Sequence, residues 1–371
     1  MRVEKPKWEN ALIKDSIKTL KVKAAVQKKD YLLTGKYPII SQEKEFISGY
    51  YDTEDNLNKD LGDVVIFGDH TRTVKYVDFD FCVGADGVKV LRPINNLSAK
   101  YLYYFIKWSN IPSNGYARHF KFLKEVKIKY PKDKPIQQAI ASELDAVQAM
   151  IDGYKAQIAD LDVLAQSIFL DMFGDPVSNP KGWEITVLND LCTKITDGTH
   201  LSPKWVDSGI PFIFVANIKN FEINFDVQKY IDEDTYEVLW KSTPIELGDI
   251  VYSSVGSYGN PAIVSSPQKF MFQRHIALLK PLHDKINNVY LKWFLISEGG
   301  KKQADDSAIG VAQKTLNLKA IKNFHIPVPP IELQQPFASK VEAIEKQKEL
   351  IRQQLADAET LMKERMQYYF S

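Results

Sequence analysis

Apolar residues recur at alternating steps of four and three over two stretches of this chain, and each stretch predicts a long amphipathic helix. Such heptad spacing keeps one apolar stripe turned toward a partner helix, as in a coiled coil. Two of the ten positions in the second stripe are charged, but the aliphatic stems of Lys348 and Arg365 can still lie along an apolar surface. The stripes consist of Ile140, Leu144, Val147, Ile151, Tyr154, Ile158, Leu161, Ala165, Ile168 and Met172 in the first stretch, and of Phe337, Val341, Ile344, Lys348, Ile351, Leu355, Ala358, Met362, Arg365 and Tyr369 in the second.

The two helical stretches are copies of one another, and weaker similarities precede both of them in the same order. The repeat is far too long for a solenoid, so it indicates two equivalent modules, each followed by its own helix. The landmarks predict a module over 1–133, a helix over 134–175, a module over 176–328 and a helix over 329–371. They pair Trp8 with Trp183, Leu61 with Leu247, residues 123–127 with 318–322, Gln137 with Gln334, and Ser142 with Ser339.

A helix of this length is a rod of roughly 57 Å, whereas the module that joins the two helices has a span of about 40 Å. An antiparallel pair lets that module sit at one end of the rod, so we expect a dumbbell with a pseudo-two-fold axis. The alternative is that each helix packs on its own module.

Within the modules, short apolar runs such as 64–66, 88–91, 210–215 and 250–252 predict strands. Amphipathic segments at Ala99–Trp108 and Asn288–Ile296 predict helices. The expected fold class is therefore mixed α/β (α+β), with two globular domains separated by a long antiparallel two-helix coiled coil.

Composition is typical of a folded cytoplasmic protein, with 44% hydrophobic and 26% charged residues and a net charge of +1. The two cysteines, Cys82 and Cys192, predict neither a disulfide framework nor a cysteine-rich metal site. Neither a signal peptide nor an apolar run of 18 residues occurs, so we expect no secretion and no membrane partner.

Motifs for catalysis are missing from the sequence: it has no Gly-rich phosphate loop, no dinucleotide fingerprint, and no HExxH or CxxC pair. The Asn179-Pro180 pair lacks the second proline and aromatic residue of an adenine-methyltransferase motif, and the glycines of 255–259 fit a hairpin as well as a phosphate cradle. The six histidines show no ligand spacing. We expect no catalytic residue, metal or cofactor in this chain.

Three strings carry a specific resemblance to a known family. They are Asp171-Met-Phe-Gly-Asp-Pro-Val-Ser-Asn-Pro-Lys-Gly-Trp183, Asp197-Gly-Thr-His200, and Ile326-Pro-Val-Pro-Pro-Ile-Glu-Leu-Gln-Gln335. Together with the duplicated helices, they make the chain resemble the specificity subunit of a Type I restriction-modification system over essentially its whole length.

The resemblance implies that each module is a target recognition domain that reads one half of a bipartite, gapped sequence in double-stranded DNA. It implies that the helices set the spacing of the halves and dock two methyltransferase subunits, and that restriction subunits complete the complex. S-adenosylmethionine would then bind in the partner adenine methyltransferase, and ATP and Mg would bind in the restriction subunit. The chain departs from the family in two ways, because the first module lacks an Asp-Gly-Thr-His string and because little chain precedes Trp8.

Candidate DNA contacts come from two regions. Between Ser98 and Lys134 the chain has nine Lys/Arg residues against Glu125 and Asp133, with Tyr116 and Phe120 interleaved, and such a segment suits phosphate neutralisation. The alternative is a solvated surface where the helix starts. In the second module, Gln and Arg side chains in loop-like strings suit bidentate recognition of adenine and guanine. The candidates are Arg118, Lys121, Lys124, Thr199, His200, Lys204, Gln273, Arg274, Gln313 and Lys314.

The helix positions that we expect to form the coiled coil and to dock subunits are Ile140, Leu144, Val147, Ile151, Ile158, Leu161, Val341, Ile344, Ile351 and Leu355. Two other functions compete with the DNA-reading one. A coiled-coil interaction protein without a nucleic-acid role would show no salt-sensitive duplex binding, and a self-sufficient methyltransferase or nuclease would need the catalytic strings that are missing.

Overall fold

The computed structural model describes residues 8–84, 87–112, 115, 117–200, 202–311 and 314–371. The chain forms two compact units, and each long helix contributes to both of them. Unit 1 comprises Met1–Ala156 with Ile351–Ser371, and unit 2 comprises Gln157–Leu350.

Unit 1 contains two four-stranded sheets and a two-stranded sheet. Its elements are β1 (Trp8–Leu12), α1 (Ile13–Ser16), β2 (Ile17–Thr19), β3 (Tyr37–Ile40), β4 (Gly49–Tyr51), β5 (Leu57–Asn58), β6 (Val64–Gly68), β7 (Val74–Val77), β8 (Phe81–Val83), β9 (Val88–Pro93), α2 (Ala99–Trp108), α3 (Phe120–Lys124), β10 (Lys127–Pro131) and the first part of α4 (Lys134–Phe173). One sheet is antiparallel in the order β2-β9-β6-β7, and the other, β4-β3-β8-β5, has β3 parallel to β8.

Unit 2 repeats this plan. Its further elements are β11 (Glu184–Val187), β12 (Cys192–Asp197), β13 (Ile210–Ile213), β14 (Ile218–Lys219), β15 (Glu222–Ile223), β16 (Tyr230–Ile231), α5 (Glu233–Ser242), β17 (Ile250–Ser253), β18 (Pro261–Ile263), β19 (Met271–Phe272), β20 (Ile276–Pro281), α6 (Asn288–Ile296), α7 (Glu298–Ser307), α8 (Leu318–Lys322), β21 (His325–Val328) and α9 (Ile331–Phe370). Here the antiparallel sheet is β12-β20-β17-β18, and β13 lies between β16 and its parallel neighbour β19. The predictions of mixed α/β modules and of helices at α2 and α6 are confirmed.

The long helices run antiparallel within each unit. In unit 1, the hydroxyl of Tyr369 donates to Glu143 at 2.5 Å, and Lys155 pairs with Glu359 at 3.3 Å. Residue numbers therefore increase along α4 in the direction in which they decrease along α9. In unit 2, the same order brings the buried Lys348 ammonium of α9 to Asp162 of α4 at 2.6 Å.

The apolar stripe of each helix departs from the predicted heptad near its C-terminal end. After Ala165, the buried residues of α4 are Phe169 and Phe173, and after Met362 those of α9 are Met366 and Phe370. The heptad prediction is wrong there, because the buried residues follow one another at steps of four and the apolar stripe rotates around the helix. In α9 the rotation leaves Arg365 exposed.

These rotated stripes insert aromatic rings into the globular parts. The Phe370 ring lies 5.3 Å from that of Tyr101 and 5.7 Å from that of Phe105, both on α2. In unit 2, Phe173 lies 4.8 Å from Tyr290 of α6. The C-terminal turn of α9 is therefore part of the core of unit 1, and that of α4 is part of the core of unit 2.

The repeated glutamines Gln137 and Gln334 fix the starts of α4 and α9 to the residues that immediately precede α2 and α6. Each is fully buried. The Gln137 side chain accepts from the N–H of Ser98 at 2.7 Å and donates to the carbonyl of Pro131 at 2.6 Å. Gln334 makes the equivalent bonds to Asn287 and to Pro329, at 2.8 and 2.7 Å.

Candidate nucleic-acid interface

Four loops of unit 2 are joined by backbone hydrogen bonds into what we call the unit 2 loop cluster, residues 197–200, 254–257, 272–275 and 314–316. The N–H of Thr199 donates to the carbonyl of Phe272 at 3.1 Å, and the N–H of Ser254 donates to His275 at 2.9 Å. The N–H of Gly256 donates to Lys314 at 3.0 Å, which adds the fourth loop. The cluster thus brings together Thr199, His200, Gln273, Arg274 and Lys314 from strings that are far apart in the sequence.

Gly198 is required for this close approach. A Cβ atom at position 198 would lie 2.2 Å from the carbonyl oxygen of Phe272 and 2.6 Å from that of Gln273, closer than a carbon atom can come. The glycine of the Asp-Gly-Thr-His string is therefore explained by the packing of two backbones.

The side chains of the cluster combine exposed and partly buried groups. His200 and Arg274 are exposed, while Gln273 is partly buried. The His200 ring contacts the Asp197 carboxylate at 2.9 Å, which orients the imidazole. Burial, and then the charge of Arg274, hold the pKa of His275 below its ordinary value. These polar groups can donate and accept hydrogen bonds toward a ligand that lies across the cluster.

Two predicted residues of unit 2, Lys204 and Gln313, are not among those that the hydrogen bonds between the described loops bring together. Lys204 is exposed, and its positive charge contributes to a lowered pKa of Asp232, after the hydrogen bonds that Thr235 donates to that carboxylate. Among the described residues, Lys204 makes no hydrogen bond to the unit 2 loop cluster. Gln313 lies outside the described residues, as does Tyr116 of unit 1.

In unit 1, the predicted basic residues lie on α3 and immediately before it. Arg118, Lys121 and Lys124 are all exposed. The Lys121 ammonium lies 4.8 Å from the ring of Phe122, and that of Lys124 lies 5.6 Å from the ring of Phe120. Within the described chain, no carboxylate pairs with either lysine.

The rest of the basic segment is more mixed than the sequence indicates. Lys100 pairs with Asp145 of α4 at 2.6 Å, and Lys107 contacts Gln148 at 3.3 Å, so both face the long helix. Glu125 pairs with Lys14 at 3.2 Å, which neutralises one of the two acidic side chains in the segment. The basic side chains of the segment that remain exposed are Arg118, Lys121, Lys124, Lys127, Lys129, Lys132 and Lys134.

Unit 1 has an equivalent loop cluster that the sequence did not reveal. The N–H of Val26 donates to Val83 at 2.9 Å, as Thr199 does to Phe272, and Val26 bridges Gly84 as Thr199 bridges Gln273. The structural counterpart of Asp197-Gly-Thr-His200 is thus Ala24-Ala25-Val26-Gln27, which shares no residue with it.

Further loops complete this unit 1 loop cluster. Asp69 donates its N–H to Gly87 at 2.8 Å and accepts one from His119 at 2.7 Å. The exposed Gln27 follows Val26 as His200 follows Thr199, and the exposed Lys29 lies two residues farther along the chain. Neither residue was predicted to be functional, and since nothing in their string resembles the other copy, only the backbone hydrogen bonds identify them.

The predicted match of residues 123–127 to 318–322 is wrong by three residues. Leu123 donates its N–H to His119, and Ile321 donates to Asn317, each at 3.1 Å. Both side chains are fully buried. Leu123 therefore corresponds to Ile321, not to Leu318, because the repeated lysines allow a false register in the sequence.

Most of the predicted coiled-coil positions are buried inside the units. Ile140, Leu144, Val147, Ile151, Val341, Ile344 and Ile351 are buried, while Ile158, Leu161 and Leu355 are partly buried. The buried ones pack the helices and cannot themselves contact a partner. In unit 2, α4 instead exposes Val163, Leu164 and Leu170, with exposed fractions of 62%, 46% and 43%.

The described residues form neither a cluster of metal ligands nor a membrane-spanning helix. Across the described ranges, no group of three or more His, Cys, Asp or Glu side chains is placed to hold a metal ion. None of the described helices is long and apolar enough to cross a membrane.

The chain is similar in sequence to specificity subunits from Escherichia coli. It is 25% identical to the Type I restriction enzyme EcoBI specificity subunit over 236 residues, which is 56% of this chain and 49%, or about half, of that relative. It is 25% identical to the EcoR124I/EcoR124II specificity subunit over 334 residues, which is 84% of this chain and 80% of that relative.

The fold is shared with a solved structure, the crystal structure of a Type-I restriction-modification system S subunit from M. genitalium. The TM-score is 0.61 at 17% identity, with 100% of this chain and 98% of that chain covered. The family model for the Type I restriction modification DNA specificity domain matches twice, at residues 6–161 and 180–360. These two matches take in most of the chain, which therefore belongs to the family of the Type I restriction modification DNA specificity domain.

Proposed function

We propose that the chain is the DNA specificity subunit of a Type I restriction-modification complex, in which each unit reads one half of a bipartite, gapped target in double-stranded DNA. One observation carries the proposal: both units hold the same loops together through equivalent backbone hydrogen bonds, yet present different side chains there. A common scaffold with different side chains suits two different half-sites. The family match does not support a coiled-coil scaffold without a role in DNA recognition.

We propose base-reading roles for the exposed or partly buried side chains of the unit 2 loop cluster, above all Gln273 and Arg274. Arginine recognises guanine and glutamine recognises adenine through paired hydrogen bonds in the major groove. Thr199, His200 and Lys314 border the same surface, and Lys204 and Gln313 remain candidates from the sequence. On unit 1, Arg118, Lys121 and Lys124 would neutralise phosphates.

The long helices set the distance between the half-sites and dock two methyltransferase subunits in this proposal. The exposed Val163, Leu164 and Leu170 are better suited to docking than the buried stripe, because apolar side chains in contact with solvent can gain burial from a partner. Restriction subunits would then join the assembly.

The chain itself is proposed to be non-catalytic. S-adenosylmethionine would bind in the partner adenine methyltransferase, and ATP and Mg in the restriction subunit. Function in the cytoplasm, where host DNA is accessible, belongs to the same proposal.

Methylation mapping tests the proposed function directly. Host DNA should carry a gapped, two-part methylated motif when the intact gene and its methyltransferase partner are present, and should lose that motif when the gene is deleted. The purified chain with labelled S-adenosylmethionine should transfer no methyl group until the methyltransferase subunit is added. Methyl transfer by the chain alone, or an unchanged methylation pattern after deletion, would overturn the proposal.

A further inference from the structure

The short helices α3 and α8 occupy the same place in their units. Val126, which follows α3, accepts a hydrogen bond from the N–H of Ile13 at 2.9 Å, and Phe324, which follows α8, accepts one from Leu188 at 2.8 Å. Together with the equivalence of Leu123 and Ile321, these bonds align residues 119–126 with 317–324 one to one.

Only two of these eight aligned positions hold identical residues. Lys121 corresponds to Lys319, and Lys124 corresponds to Lys322. The other six pairs differ, including Phe122, whose counterpart is Ala320. The packing of the helix onto its unit does not demand lysine, because the residue that anchors it is the buried Leu123 or Ile321 between the two lysines.

The four ammonium groups are available to an external anion. Lys121, Lys124 and Lys319 are exposed and Lys322 is partly buried. None of the four pairs with a carboxylate in the described ranges. Lysines three residues apart lie on one face of a helix turn, with Cβ atoms about 5–6 Å apart. In unit 2, α8 begins two residues after Leu316 of the loop cluster, so the lysines border the surface proposed to read bases.

We propose that Lys319 and Lys322 contact the phosphate backbone of the half-site read by unit 2, as the counterparts of Lys121 and Lys124 in unit 1. The inference rests on the proposed function. The phosphate backbone presents nearly the same charges to both units whatever the sequence, whereas the base edges of the two half-sites differ. Contacts to phosphate should therefore be repeated between the units, while contacts to bases should diverge.

The loop clusters fit the expectation that contacts to bases differ between the two units. Thr199 corresponds to Val26, and Gln273 corresponds to Gly84, so the side chains proposed to read bases are not repeated. Residues that are identical in the two units, the lysines of α3 and α8, are thus assigned to the DNA phosphate backbone. Loop residues that differ between the units are assigned to the DNA bases.

The test is the salt dependence of duplex binding by the complex of the full chain with its methyltransferase subunits. The variant Lys319→Ser with Lys322→Ser should flatten the slope of log K against log salt by up to about 1.8, at about 0.9 per lost phosphate. Lys121→Ser with Lys124→Ser should flatten it by the same amount. Lys319→Arg with Lys322→Arg, which keeps both charges, should keep the wild-type slope.

A matched control removes two exposed lysines of unit 2 that lie outside α8 and the loop cluster, Lys241→Ser with Lys285→Ser. It should leave the slope unchanged, and no lysine variant should change the methylated motif. A slope for the Lys319/Lys322 variant equal to that of this control would overturn the inference, as would a change in the second half-site. Methylation mapping of host DNA with the wild-type complex is done in parallel. If the proposed function is wrong, that mapping will show no gapped motif, whatever the lysine variants do.

Discussion

The backbone N–H of Arg274 donates a hydrogen bond to the carbonyl oxygen of Thr199 at 3.0 Å. This bond and the one from Thr199 to Phe272 hold the Asp-Gly-Thr-His string beside the Gln-Arg string. Side chains that project from both strings therefore share one backbone platform. A platform of this kind suits base recognition, where small displacements cost specificity.

The substitution Gly198→Ala should disturb that platform. The new methyl group would lie 2.2 Å from the Phe272 carbonyl, so the two loops must separate. We expect a loss of about 1–3 kcal/mol in the free energy of unfolding, measured with urea, and weaker selection of the second half-site in methylation mapping. The control Gly153→Ala adds a methyl group that meets no atom within 4 Å, inside α4, and should not destabilise. Equal effects from both would contradict the role given to Gly198.

The substitution Arg274→Ala should relax the motif at one base pair of the half-site read by unit 2. Loss of a bidentate contact to guanine costs about 1–3 kcal/mol of discrimination against the wrong base. The first half-site and the gap should stay the same. If binding weakens equally for all sequences, Arg274 contacts phosphate instead.

The stability of unit 2 should fall on mild acidification because of His275. Its pKa is held below the ordinary value of 6.5, so the unfolded chain takes up the proton more readily than the folded one. Below about pH 6.5 the free energy of unfolding therefore decreases, until the pH passes the pKa of the folded state. Urea unfolding at pH 7.5 and at pH 5.5 measures this, and His275→Gln should lose less stability between the two. A variant that loses as much as the wild type would rule out His275 as the cause.

Phe370→Ala should destabilise unit 1 strongly. The ring is buried against Tyr101, Phe105 and Trp108, and such truncations cost about 3–5 kcal/mol. Tyr368→Ala is the matched control, because that nearby ring is 75% exposed. Chemical denaturation compares the two, and similar losses would mean that α9 does not complete the unit 1 core.

Leu164→Glu with Leu170→Glu should prevent assembly with the methyltransferase subunit without unfolding the chain. Both side chains are exposed on α4, so a charge costs little in the free subunit but opposes burial under a partner. Co-elution on size-exclusion chromatography measures assembly, and circular dichroism checks the fold. As a control, Asp160→Glu on the same helix keeps the charge and should assemble normally. Normal assembly of the leucine variant would place the docking surface elsewhere.

Much of the architecture could be predicted because long-period patterns depend on many residues at once. The presence of two long helices, observed at Lys134–Phe173 and Ile331–Phe370, follows from apolar spacing over ten positions each, and the two charged positions of the second stripe do not obscure it. The rotation of the stripes toward Phe173 and Phe370 could not be predicted, since the heptad also has apolar residues at Ile168 and Met172. Only the position of α2 and α6 decides which stripe is buried.

The candidate site was harder to predict, because a loop cluster is defined by backbone bonds rather than by residue types. Asp197-Gly-Thr-His200 could be predicted because its string resembles that of a known family, and the structure then explains its glycine by the close approach of two backbones. Its counterpart around Val26 makes the same bonds with other side chains, and Gly84 takes the place of Gln273. At Leu123, by contrast, similar side chains suggested a match that the backbone does not make. The repeated lysines there shift the predicted alignment of the two copies by three residues.

The burial of Phe370 among the rings of α2 also bears on how the protein is made. Residues 351–371 belong to the core of unit 1, yet the ribosome adds them after the whole of residues 157–350. The first module must therefore wait, with the apolar surface around Tyr101 and Phe105 uncovered, while the second is synthesised. At about 5–20 residues per second this delay is on the order of 10–40 s. During that interval the nascent chain offers this surface to chaperones, and the module made first is completed last.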